Sequence, residues 1–209
     1  MLPMFPLQSV LMPGEALPLR IFEPRYVQFV QDCRAAADPV FGVVLISQGR
    51  EVGGGDIRSD VGVLARIIEC AEDGLGQYRL VALAGERIRV SRWLPDEPYP
   101  VAEVQPWPDE PGPAVGPEQI GEVVDRMLAL YRRVADAAGG RLRPDALAVD
   151  GETADDPERH VYALAARVPM GQADRYAVLS APTLAARVDA LIDAIETVTA
   201  MVEFQLSDE

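Results

Sequence analysis

Between residues 106 and 117 the chain reads PWPDEPGPAVGP, and the period of its apolar residues differs on the two sides of that stretch. A segment this dense in proline and glycine cannot continue a helix or a sheet ladder, so it marks a boundary. Before it, apolar residues alternate or run continuously over short segments separated by turn residues, the pattern of strands. After it they recur at three and four residues, the pattern of amphipathic helices. That switch restricts the chain to strands first and helices second, an α+β arrangement rather than interleaved βαβ units. The expected division is a β-rich lobe over 1–106, a linker over 107–117 and a helical subdomain over 118–209.

The β-rich part opens with the short strands FPL and ALPLRIF around a turn at MPGE. Glu23-Pro24 then changes the mode, because proline at a first helical position fixes φ and costs no hydrogen bond. The segment RYVQFVQDCRAAA continues as a short helix, with Glu23 placed to cap it or to pair with Arg25. Leu17, Leu19 and Ile21 form one face of the strand before it. VFGVVLIS reads as a buried strand. The Gly-rich GREVGGGDIRSD is a connection that could cradle an anion, although no suitable helix follows it. VGVLARIIECAED, GQYRLVALAG, ERIRVSRWL and YPVAEVQPW follow as four strands, with Gly85-Glu86 read as a turn. Several are apolar on both faces, which suits a closed or strongly coiled sheet. Arg87 and Arg89 are expected as solvated side chains opposite a buried Ile88/Val90 face.

In the helical part Ile120, Val123, Val124, Met127, Leu128, Tyr131, Val134 and Ala135 share one stripe. AGGRLRPDALAVDGETAD reads as a loop, and Asp156-Pro157 starts the next helix by its capping chemistry. QADRYAVLS and the long segment from Ala181 complete four helices. In the last of them Leu184, Val188, Leu191, Ile192, Ile195 and Val202 line one face.

Composition narrows the chemistry. All nineteen basic residues are arginine, and lysine is absent. A P-loop, a Ser-Lys dyad and a lysine Schiff base are therefore excluded, since arginine stays protonated and can serve as neither base nor amine. Cys33 and Cys70 are too few for a disulfide framework and have no metal spacing, and His160 is the only histidine. No metal or cofactor is expected. The formal net charge is −14, and residues 107–209 hold nine arginines against nineteen acidic residues. Such a field disfavours nucleic acid and anionic lipid as partners. No apolar run reaches the roughly 20 residues of a membrane span, and MLPMFPLQSV lacks the features of a signal peptide, so the expected location is the cytoplasm.

The run LPMFPLQSVLMPGEALPLRIFEPRYVQFVQD resembles the opening of the Lon protease N-terminal, substrate-binding domain family. VGVLARIIE, YRLVALAGERIRV and YPVAEV follow in that family's order, and DDPERHVYALAARVPMGQADRYAVLSAPTLAARVDALIDAI resembles its helical half. The resemblance implies a PUA-like twisted sheet or pseudo-barrel lobe followed by a four-helix bundle. It implies a module that holds protein substrates while separate domains supply ATPase and protease activity. The chain ends where that ATPase would begin, so the expectation is a standalone, non-catalytic relative, with no catalytic position carried over.

The expected partners are protein or peptide clients, with a protease to which they would be presented. They would be held in a groove between the two lobes, aided by exposed strand edges. Arg25, Tyr26, Trp93, Tyr99 and Trp107 are the candidate peptide-binding residues, because interfaces favour aromatics and arginine. Two alternatives stand beside this reading. One is RNA binding through a patch of Arg79, Arg87 and Arg89, as PUA-like barrels elsewhere bind RNA. The other is a small-molecule site or hydrolase in the barrel.

Overall fold

The computed structural model describes residues 1–48, 57–143 and 145–207. They form two compact units, Met1–Pro108 and Asp109–Glu209. The Gly-rich segment considered as an anion cradle lies, from residue 49 to 56, outside the described residues.

The described residues of the first unit form six strands and one helix: β1 (Leu2–Leu7), β2 (Ala16–Ile21), α1 (Pro24–Ala35), β3 (Val40–Gln48), β4 (Ile57–Glu72), β5 (Tyr78–Trp93) and β6 (Val101–Pro106). The strand order is β2-β5-β4-β3-β1-β6, and β6 also pairs with β5. Five strands thus close on themselves while β2 stays outside the ring. Among the described residues only β1 and β3 run parallel, and every other pair is antiparallel. Closure explains why several strands are apolar on both faces, one facing the barrel axis and the other a covering element. The axis is filled by Met4, Val44, Ile88 and Ala102, with Leu2, Leu64, Val90, Trp93 and Val104 packed around them.

One expectation about the strands is corrected. Gly85-Glu86 is not a turn, because β5 runs unbroken through it. Opposite the step from Val63 to Ala65, β5 advances from Arg87 back to Ala84, so one extra residue is accommodated as a bulge. The bulge lets one long strand serve two neighbours: its first half pairs with β2 and its second half with β6. The strands β1 and β2, joined by a short turn, are not partners. The Met12–Glu15 turn forms, with Gly14 at φ +87° and the Glu15 carboxylate accepting from the Met12 amide at 2.7 Å. The strands on either side pair elsewhere.

Helix α1 covers one side of the barrel with Tyr26, Phe29, Val30 and Cys33. Phe29 is the centre of an aromatic cluster, 5.6 Å from Phe5, 5.2 Å from Phe41 and 5.4 Å from Tyr99 by ring centroids. Pro24 begins the helix and the Glu23 carbonyl accepts from the Tyr26 and Val27 amides. The Glu23 carboxylate does not cap; it pairs with Arg25 at 3.1 Å.

The second unit holds α2 (Pro117–Ala137), α3 (Gly151–Asp155), α4 (Pro157–Ala165), α5 (Gln172–Leu179) and α6 (Leu184–Ser207). Helix α3 lies in what the sequence presents as a loop. It forms because the Asp150 side chain accepts from the Thr153 amide, a capping contact hidden by the glycine and charge around it. Asp156 caps α4 as expected, accepting from the Glu158 and Arg159 amides. The buried stripe of α2 is Ile120, Val123, Met127 and Leu130, while Val134 is 44% exposed. The stripe thus leaves the expected line in the last turns.

Candidate functional site

The five candidate binding residues fall into three separate environments of the first unit. Tyr26 belongs to the cluster on α1, with its ring 4.5 Å from Phe5 and the Arg25 guanidinium 4.6 Å above it. Tyr99 is in the same cluster, and its hydroxyl donates to Asp32 at 2.7 Å. Burial, followed by that hydrogen bond and the negative charge of Asp32, pushes the Tyr99 phenol upward, so it stays protonated. The Cys33 thiol on the same helix is pushed up to about 12 by burial and by Asp32, which leaves it a packed apolar group.

Trp93 is half-buried at the end of β5. Arg58 lies 4.5 Å over its ring and forks onto Asp96 through bonds of 3.1 and 2.5 Å. Trp107 is buried beneath two guanidinium groups, Arg87 at 4.3 Å and Arg89 at 3.9 Å from its ring centroid. Arg87 is therefore not the solvated side chain expected from alternation, for it is only 3% exposed. Cation–π stacking on an aromatic brought back by the chain after β6 replaces water around it. Arg79 lies eight residues away on β5, a span of roughly 25 Å at strand rise, and shares no environment with Arg87 and Arg89. The three arginines do not make one patch.

The first unit also carries a feature that residue types alone do not announce. The end of β5 that pairs with β2 and β4 turns one face outward. Register places Arg20, Arg79 and Ala71 in one row across the three strands, Pro18, Val81 and Glu69 in the next, and Ala16, Leu83 and Arg66 in the third. A shallow depression of about 510 Å³ lies there, lined among others by Pro18, Arg20, Glu69, Arg79 and Val81. Around it Leu83 is 43%, Ile68 52% and Phe22 61% exposed. Ile68 is the bulged residue of β4, between the pairs Ile67–Ala82 and Glu69–Val81. Exposed apolar side chains bordering a depression are a property of interaction sites. The signal in the sequence was the outward parity of positions 16, 18 and 20 against 79, 81 and 83, which acquires meaning only when the register is known.

A second depression lies between the ends of α2 and α6, lined by Ala129, Arg132, Arg133, Asp136, Ala137 and Leu206. Among the described residues no group of three or more His, Cys, Asp or Glu side chains could hold a metal ion. No helix among them is long and apolar enough to cross a membrane.

Comparison with known proteins supplies the context for these surfaces. The family model of the ATP-dependent protease La (LON) substrate-binding domain matches residues 1–197. Among solved structures, a Lon N-terminal domain protein from Xanthomonas campestris is 28% identical, with a TM-score of 0.64 over 92% of this chain and 96% of that one. The N-terminal domain of the Lon protease of the Mycobacterium avium complex shares the fold at 15% identity, with a TM-score of 0.61 over 93% of this chain and 97% of that one. Comparison with curated proteins gave no match.

Proposed function

This chain belongs to the Lon substrate-binding domain family, and from that premise we propose that it recognises extended polypeptide segments through the outward face of β2, β5 and β4. The observation that carries the proposal is the depression on this outward face, with exposed Leu83 in the row beside Val81, exposed Ile68 at the β4 bulge and exposed Phe22 just past the end of β2. Burying an exposed leucine or phenylalanine against a client stabilises a complex by about 1.5–3 kcal/mol before ordering costs. Tyr26, Tyr99 and Trp107, each less than a tenth exposed, have little surface of their own to contribute.

The mode of binding follows from the edge strand. The Ala84 amide donates to the Glu15 carbonyl, so Leu17, Leu19 and Ile21 turn their backbone groups toward β5. Ala16, Pro18 and Arg20 turn theirs toward the other edge. Pro18 has no N–H and stands in the middle of that row, which weakens strand addition there. A client would therefore lie across the side chains of the face rather than extend the sheet.

Holding rather than cutting is the proposed activity, with presentation of the bound segment to a separate protease as its use. Fluorescein-labelled, reduced and carboxymethylated lactalbumin is a suitable client. Its anisotropy should rise on titration with the protein, and Phe22→Ser with Leu83→Ser should weaken that binding at least several-fold. Equal binding by the double variant would remove this face from the account.

A further inference from the structure

We propose that this face selects segments in which a carboxylate stands beside aliphatic or aromatic side chains, an inference that rests on the reading of the face as the polypeptide-binding surface. Arg20 and Arg79 are direct cross-strand partners. Like charges so placed repel, and a sheet gains nothing from the arrangement by itself. Arg20 reaches only the Gln77 amide oxygen, at 3.4 Å. Among the described residues no carboxylate lies within ion-pair distance of either guanidinium.

Arg58, Arg66, Arg92, Arg126 and Arg187 each hold a carboxylate. Glu69 sits one row away on the same face, opposite Val81, and pairs with neither arginine. The neighbour of Arg79 on β4 is Ala71, too short to cover it. Two adjacent cations thus remain open at one end of an apolar strip formed by Pro18, Val81 and Leu83.

A client carboxylate placed between them would offset the repulsion and accept charge-assisted hydrogen bonds from both. Side chains on one face of a strand repeat at about 6.6–6.8 Å, the step from Arg79 to Val81. An extended client with Glu or Asp at one position and a large apolar residue two further on would match that step. The occupant is therefore an acidic–apolar segment rather than a basic or purely apolar one.

The test uses three fluorescent twelve-residue peptides that share an alternating Leu/Phe pattern and differ only at the intervening positions, with Glu, Ser or Lys. The wild-type chain should prefer the Glu peptide over the Ser peptide by about three- to tenfold, as expected of two exposed ion pairs. Arg20→Ser with Arg79→Ser should abolish the preference, bringing the ratio of Glu-peptide to Ser-peptide affinity to about one, without lowering the thermal midpoint. Arg20→Glu with Arg79→Glu should reverse it in favour of the Lys peptide. Equal binding of Glu and Ser peptides would overturn the selectivity and leave the proposed function standing. Failure of all three peptides and of carboxymethylated lactalbumin would overturn both. A dimer in size-exclusion light scattering that the charge reversal dissociates would make a second copy of the chain the occupant, and would also overturn the proposal.

Discussion

Arg187 is fully buried in the first turns of α6, where its guanidinium forks onto Asp109, lies 3.9 Å from Glu158 and sits 4.3 Å over the Tyr162 ring. Nothing in the spacing of Leu184, Val188 and Leu191 announces it, because a helical stripe counts apolar residues and skips an arginine. Its packing ties the segment after Pro108 to the helices: the Glu110 amide donates to the Pro182 carbonyl, and Gly112 lies where any added Cβ would meet Thr183. Arg187→Ala removes the buried guanidinium that Asp109 holds and opens a void beneath Tyr162. Urea unfolding should show a loss of about 3–5 kcal/mol. At the same scale the two thiols should separate. Cys33, held neutral by burial and Asp32, should resist Ellman's reagent at pH 8 until the chain unfolds, whereas half-buried Cys70 should react first. Burial, reinforced by the charge of Arg167, lowers the pKa of His160 below its ordinary 6.5. In the window between the lowered value and 6.5 the unfolded chain binds more protons than the folded one. This histidine therefore costs stability as pH falls through about 6.5. Proton NMR of the single imidazole should give a midpoint below 6.5 in the folded chain, and a midpoint at or above it would contradict its burial.

At the scale of elements, local chemistry was legible and pairing was not. Pro24 and Pro157 announced their helices, because the fixed φ and missing N–H of proline act within one turn. The identity of the neighbouring strand depends on closure of the barrel, which no short window contains. Hence β1 and β2, joined by a short turn, are separated in the sheet, and Gly85 looks like a turn inside a 16-residue strand. The candidate site was harder still. Arg25, Tyr26, Trp93, Tyr99 and Trp107 stand out by residue type, yet type does not distinguish an aromatic that packs from one that binds. The outward face needed the register of three strands to assemble Arg20, Arg79, Val81 and Leu83. Close approach of strands also makes a prediction. A Cβ at Gly62 would collide with the Val43 carbonyl oxygen, a backbone atom that cannot rotate away. Gly62→Ala should destabilise the barrel by about 1–3 kcal/mol, visible as a lower thermal midpoint. An unchanged midpoint would mean that β3 and β4 are less closely apposed.

The whole molecule joins a barrel unit with fourteen acidic residues against ten arginines to a helical unit that is far more acidic. Exposed pairs such as Arg92–Glu103 and Arg126 with Glu122 and Glu196 add little to stability, because water screens them. Against that background Arg20 and Arg79 are distinguished by standing side by side in one row next to apolar neighbours. The central claim is that this one face takes the client. Hydrogen–deuterium exchange with and without carboxymethylated lactalbumin tests it most directly. The account predicts slowed exchange at the amides of 16–22 and 78–84, with the segments around Trp93 and Trp107 unchanged. Slowed exchange around Trp93 and Trp107, with residues 16–22 and 78–84 unaffected, would contradict it.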